Sequence, residues 1–143
     1  MNKKAESFKK FLDEKKINDF VVEEMKEDDL HAVVFRSYLT VTGNNLNTIL
    51  VLDDSVYSMI RVFVAPQAQT EKNRDALTKL INEYNMTYKA FKYFTDTDGN
   101  LIVDLCMVNT GDTVDGELVY ALYQTISDHL ETAYKDLMKI ILE

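Results

Sequence analysis

The sequence is poor in the residues that build catalytic and metal centres. It has one cysteine, Cys106, and two histidines, His31 and His129. A lone cysteine excludes an internal disulfide and a multi-thiolate metal site, and the histidines are too far apart in sequence to form a close ligand pair. No G-x-S-x-G motif and no glycine-rich phosphate loop occur. We therefore predict no catalytic residue, no metal and no cofactor. Cys106 is expected to be an ordinary small apolar residue of a strand, and each histidine a surface or half-buried structural residue.

Positive charge is also scarce, with 16 Lys and Arg against 24 Asp and Glu and a net charge of −8. A nucleic-acid footprint or attraction to an anionic membrane surface is therefore not expected. The longest uncharged run, residues 37–52, is too short and too polar to cross a bilayer. The first residues lack the apolar stretch of a signal peptide. These features predict a cytoplasmic protein.

One proline and four glycines among 143 residues exclude collagen-like and low-complexity chains. The 46% of hydrophobic residues is enough for a packed core. The length predicts a single domain over residues 1–143.

Helical and alternating patterns follow one another along the chain. The predicted order is a helix over 3–16, an apolar run over 20–25 that adds a strand or belongs to a loop, strands over 33–41, 48–52 and 56–64, a helix ending at 85, strands over 87–95 and 101–108, and a final helix from 116. This order predicts an α+β fold with an antiparallel sheet of five or six strands. We place turns at Gly43-Asn44-Asn45 and Asp53-Asp54-Ser55.

The strand Val56–Val64 is apolar on both faces. Val56, Ile60, Val62 and Val64 alternate with Tyr57, Met59 and Phe63. Such a strand is expected to be covered on both faces, by the protein's own helices or by a partner.

Capping patterns set the ends of the later helices. Thr70 is the predicted N-cap of the second helix, and Asn85 its left-handed terminator. Asp115 is the predicted N-cap of the last helix, with Val114 and Val119 as a hydrophobic staple.

The acidic segment Asp96–Asn100 resembles a calcium loop only superficially. An EF-hand glycine at Gly99 would require acidic ligands where Phe94 and Leu105 stand. We therefore interpret the segment as a hairpin turn.

The final helix of about 29 residues would be about 43 Å long, as long as the whole domain. It must therefore bend, break or project. Two outcomes are open. Its apolar end, Leu137–Leu142, forms a homodimer contact, or the helix breaks near Ser127-Asp128 and folds back over the sheet.

The second helix and second hairpin carry a family resemblance. The stretch Asn73-Arg74…Leu80-Ile81-Asn82-Glu83-Tyr84-Asn85, followed by Phe91…Phe94, Asp96…Asp98-Gly99-Asn100-Leu101 and a long closing helix, resembles the bacterial YbjN domain family. In element order the resemblance covers residues 29–143. It implies a role among sensory-transduction regulators and a fold similar to type III secretion chaperones, α-β-β-β-α-β-β-α. The family has no agreed catalytic residues to transfer.

Tyrosine is abundant, with eight residues, and it is enriched at protein interfaces as well as at the rims of thin cores. Together with the two-sided strand and the implied fold, this predicts a non-catalytic protein- or peptide-binding module, chaperone-like or a regulatory adaptor. The candidate partner-binding residues are Tyr57, Met59, Phe63, Tyr120 and Tyr123. The alternative is an enzyme with carboxylate chemistry, based on the many Asp and Glu.

Overall fold

The computed structural model describes all 143 residues as three helices and one six-stranded sheet. In chain order the elements are α1 (Lys3–Glu14), β1 (Val21–Glu24), β2 (Val33–Val41), β3 (Asn44–Leu52), β4 (Tyr57–Ala65), α2 (Arg74–Thr87), β5 (Lys92–Thr95), β6 (Leu101–Val108) and α3 (Gly116–Leu142). The predicted α+β class and the long closing helix are confirmed. The apolar run over 20–25 does form a strand, so the sheet has six strands.

The sheet is antiparallel throughout, in the order β1-β2-β3-β4-β6-β5. The β2–β3 turn lies one residue earlier than predicted. Thr42 and Gly43 have positive φ, which is the conformation of a two-residue hairpin turn that matches strand twist. Asn44 and Asn45 consequently belong to β3, which begins four residues before the predicted start at Thr48.

All three helices cover the same face of the sheet, here called the inner face. They contribute to one core cluster with the inward-facing strand residues, including Phe8 of α1, Leu77 of α2 and Leu130 of α3. Two buried apolar residues, Val34 and Ile102, lie outside this cluster, because strand alternation directs them to the opposite side. The opposite side, here called the outer face, carries no helix.

Aromatic rings join α1 to the rest of the inner face. Phe8 meets Phe35 of β2 edge to face at 5.1 Å, and Phe20 meets both rings at 5.7 and 6.4 Å. Phe20 also contacts Tyr120 and Tyr123 of α3. Much of the aromatic content therefore serves the core.

The predictions for the ends of α2 are wrong. Thr70 caps a turn that precedes the helix, and α2 itself begins at Arg74. Asn85 lies inside the helix, which continues to Thr87. The side chain of Asn85 instead forms two hydrogen bonds with the main chain of Tyr93 in β5.

The helix α3 is continuous over 27 residues, about 40 Å, so the predicted break near Ser127-Asp128 is wrong. The Asp115 carboxylate accepts from the Leu118 amide at 3.2 Å, as expected of an N-cap. At its end Leu137 is buried in the protein's own core, whereas Leu142 is 80% exposed. No helix is long and apolar enough to span a membrane.

Candidate binding surfaces

The outer face presents a row of apolar side chains across four paired strands. Val34 of β2 is opposite Val51 of β3, Val51 is opposite Met59 of β4, and Met59 is opposite Cys106 of β6. No helix covers this row, and the Cys106 side chain is exposed. The apolar surface continues on both sides of it with residues that are exposed or half-buried: Ile49, Tyr57, Phe63, Phe94 and Val108.

One ion pair lies at the centre of the outer face. The Arg61 guanidinium donates two hydrogen bonds to the Asp104 carboxylate, at 2.7 and 2.8 Å. The same guanidinium lies 5.4 Å from the centre of the Phe94 ring, within cation–π range. The hydrogen bond to Asp104 raises the pKa of Arg61 further above its usual value. Because this ion pair is held in place and carries no net charge, it can provide specificity for a partner within the apolar surface.

Phe63 stands between two depressions of the sheet. The pairing of β3 with β4 ends at Thr48 and Val62, so the strands separate beyond these residues. A cavity of about 460 Å³ lies in the gap, and a second of about 380 Å³ lies between Phe63 and Arg36. Phe63 lines both and is 39% exposed, so it is the main aromatic projection of this region.

A separate cleft of about 220 Å³ lies on the inner side of the sheet, here called the α3 cleft. It is lined by Asp19, Phe20, Ser37, Tyr38, Leu39, Thr48, Tyr120, Tyr123, Gln124 and Ser127. The rings of Tyr120 and Tyr123 contact that of Phe20, and the polar groups come from β2, β3, α3 and the segment before β1.

The five predicted partner-binding residues do not come together. Tyr57, Met59 and Phe63 lie on the outer face, whereas Tyr120 and Tyr123 line the α3 cleft on the inner side. Val56, predicted to belong to this strand, lies outside β4 and is exposed, and Ser58 takes the inward position. Sequence reasoning missed Ile102 and Phe94 of the outer face, although their alternation with inward residues was a usable signal.

The largest cavity, about 620 Å³, lies where α1 meets the loops after β3 and β6. His31 Nδ1 lies 2.6 Å from Asp54 Oδ2 at its rim, but both side chains are substantially exposed. Deeper polar groups are used to hold α1: Lys4 Nζ donates to the carbonyl of Ser55, and Asn2 donates to two carbonyls. No group of three or more His, Cys, Asp or Glu side chains is arranged to hold a metal ion.

His129 is buried, which corrects the prediction of a surface or half-buried residue. Its Nε2 lies 2.7 Å from the Tyr93 hydroxyl, and its Nδ1 has no protein partner. Four aromatic rings surround the imidazole, those of Tyr84, Tyr88, Phe91 and Tyr93. Burial lowers the pKa of His129 to about 4, so the imidazole is neutral at pH 7 and joins α2, β5 and α3.

Comparison with known proteins identifies the architecture. No family model matches the chain, and no curated protein sequence matches it. A chain in the crystal structure of the ExsC–ExsE complex is similar in structure, with a TM-score of 0.57 over 96% of this chain and 97% of that chain. The sequence identity is 12%, so the similarity concerns the fold alone. The predicted chaperone-like arrangement of elements is thereby confirmed, whereas membership of the YbjN family stays a prediction.

Proposed function

We propose that the protein is a non-catalytic protein-binding module, chaperone-like or a regulatory adaptor, that engages its partner through the outer face. The observation that supports this proposal is the helix-free outer face, on which Tyr57, Phe63 and Val108 are exposed and Met59 is half-buried. A contiguous exposed apolar patch of this kind is typical of contact sites. The similarity to a chain found in a two-protein complex agrees with this role. The resemblance to the YbjN family would make the protein a regulatory adaptor.

The alternative, an enzyme, has less support. Its best location is the large cavity with the His31–Asp54 pair, but catalysis by such a pair needs a nucleophile within hydrogen-bond reach and exclusion of water. His31 is 72% exposed in its side chain, and the neighbouring Ser55 hydroxyl is bonded to Asp53 at 2.5 Å. The cytoplasmic placement is likewise a prediction from the sequence.

The single cysteine makes the proposal directly testable. A photo-crosslinker attached to Cys106 reports contacts within the outer face, beside Met59. The matched control carries Cys106→Ala with Ala121→Cys, which moves the probe to an exposed position on α3. In a lysate of the natural host, we expect defined cross-linked products from Cys106 and none from position 121.

A variant then connects the products to the surface. Phe63→Asp places a charge in the apolar field without disturbing the core, because Phe63 faces away from it. We expect this variant to lose the Cys106 products while keeping its unfolding midpoint within a few degrees. Identical products from both probe positions, or products that survive Phe63→Asp, would refute the outer face as the binding surface.

We also propose a homodimer, with a smaller contact than the sequence indicated. The end of α3 exposes Leu142, with Met138 and Ile141 half-buried beside it. Two copies related by a two-fold axis would cover these groups with one self-complementary patch. Light scattering at micromolar concentration should give twice the monomer mass of 16.5 kDa, and Leu142→Lys should reduce it to one monomer. A wild-type mass of one monomer would refute the dimer.

A further inference from the structure

Two buried hydroxyl groups in the α3 cleft have no hydrogen-bond partner in the protein. They are Thr48 Oγ1 and the Tyr123 hydroxyl, on residues that are 1% and 6% exposed. Burial raises the pKa of Tyr123, and the interaction with the Thr48 hydroxyl lowers it, so the two hydroxyls are neighbours, although no hydrogen bond of normal geometry joins them. Buried hydroxyls are normally paired, and two unpaired ones at a single cleft indicate a site for an incoming polar group.

The walls of the α3 cleft indicate the rest of the ligand. Phe20, Leu39 and Tyr120 provide apolar surface, and the Phe20 ring lies edge-on to Tyr120 at 6.5 Å. Aromatic rings prefer such edge-to-face neighbours. Asp19 is the single charged lining residue, and no lysine or arginine is present. An anionic ligand therefore has no counterion here, whereas a neutral aromatic group would contact these apolar walls.

The volume limits the size of the ligand. At about 30 Å³ for each water molecule, the 220 Å³ of the cleft correspond to about seven waters. This space suits one substituted aromatic ring. We propose that the α3 cleft binds a single neutral aromatic group with one hydrogen-bonding substituent, of the phenol or indole class. The substituent pairs with Thr48 and Tyr123, which it reaches through a small side-chain shift, because neither oxygen touches solvent.

A neutral aromatic group of this kind can come from two sources: a tyrosine or tryptophan side chain of a protein, or a free small aromatic compound. The cleft lies on the inner side of the sheet, away from the outer face, so the inference does not rest on the proposed function. Phe63→Asp on the outer face should leave binding to the cleft unchanged, and this keeps failures of the two proposals distinguishable.

The test is a chemical-shift titration of the full chain with p-cresol, toluene and benzoate. We expect p-cresol to bind about 5- to 10-fold more tightly than toluene, as one hydrogen bond contributes, and benzoate not to bind. Thr48→Val and Tyr123→Phe remove each hydroxyl at nearly constant shape and should reduce the preference, and the double variant should abolish it. Tyr57→Phe, on the outer face, is the control and should keep the preference.

Equal affinities of p-cresol and toluene for the wild-type protein would overturn the proposal, since ordered water alone would then satisfy the hydroxyls. An undiminished preference in both single variants would also overturn it, and this comparison stands even when the double variant does not fold. N-acetyl-tyrosinamide separates the sources. Tighter binding than p-cresol supports a protein side chain as the ligand, and weaker binding supports a free aromatic compound.

Discussion

The side-chain amide of Asn85, on α2, pairs with the main chain of Tyr93, on β5, in the manner of a neighbouring strand. Asn85 Oδ1 accepts from the Tyr93 amide at 2.7 Å, and Asn85 Nδ2 donates to the Tyr93 carbonyl at 3.2 Å. The strand β5 is an edge of the sheet, where unpaired main-chain groups are a liability. One asparagine therefore ties the helix to the sheet and closes part of that edge.

Asn85→Ala should consequently destabilise the protein by about 2 kcal/mol, since two partly buried main-chain groups lose their partner. Denaturant unfolding at neutral pH measures the change. Asn82→Ala is the matched control, because Asn82 is exposed on the same helix and makes no hydrogen bond. A loss at position 85 no larger than at position 82 would contradict the structural role of the pair.

Gly116→Ala should destabilise the protein although alanine favours helices. Helix propensity alone predicts a gain of about 1 kcal/mol. A Cβ at position 116, however, would lie 2.3 Å from the Phe11 ring, and overpacking of this kind typically costs about 1–3 kcal/mol. We expect a net loss by denaturant unfolding.

Two further variants separate the clash from other effects of the substitution at Gly116. Phe11→Ala should reduce the loss in the double variant, because it removes the Cγ and Cδ atoms of Phe11 that the added Cβ would meet. Gly111→Ala should be nearly neutral, since nothing lies within 4 Å of a Cβ there. A stabilised Gly116→Ala protein would show that α1 does not pack against the start of α3 in this way.

The neutral, buried His129 should make the protein less stable in mild acid. Its pKa is about 4 in the folded state against 6.5 when unfolded, so between these values the unfolded chain binds more protons. The free energy of unfolding should fall by about 2 kcal/mol from pH 7.5 to pH 5 on account of this group. The charge would otherwise enter a cluster of Tyr84, Tyr88 and Tyr93 with no carboxylate partner.

Comparison with His129→Phe isolates that contribution, because phenylalanine retains the packing but does not titrate. We expect a smaller loss of stability between pH 7.5 and pH 5 in this variant than in the wild type. Parallel pH profiles of wild type and His129→Phe would refute the assignment.

Asn2→Ala should destabilise the protein by about 2–4 kcal/mol. Asn2 Oδ1 accepts from the Ala5 amide as the N-cap of α1, and Nδ2 donates to the carbonyls of His31 and Leu52 at 2.8 Å. The lost N-cap and the two lost hydrogen bonds of the Asn2 side chain together account for this range. Asn18→Ala, exposed and unbonded, should change the unfolding midpoint little. A small effect at Asn2 would show that the cap bonds are not formed in solution.

The sequence was sufficient for the elements that hydrophobic periodicity defines. The strand predicted over 101–108 has the bounds of β6, and its alternate residues from Leu101 to Met107 are buried. It was insufficient where a polar residue has a distant partner. Asn85 has the local signature of a helix terminator, but its amide is used by a strand eight residues later, and such a partner leaves no local signal.

The binding surface could also be predicted only in part from hydrophobic periodicity. Alternation correctly assigned Met59 and Phe63 to the face opposite Ile60. It did not show that all three helices lie on one side, since helix placement depends on the whole topology. The grouping of Tyr120 with Tyr57 failed because the sheet separates them.

The chain order of the helices has a consequence for folding kinetics. The meander β1–β4 is complete by Ala65, yet α3, which covers much of its inner face, follows only after all six strands. During synthesis the apolar inner residues Leu50, Ile60 and Val62 therefore remain without their final cover until α3 has been made. Contacts of such long sequence separation form slowly, and exposed strands promote association with other chains. Folding of this protein should thus be limited by the arrival of α3, and nascent chains without it should be the species that aggregates.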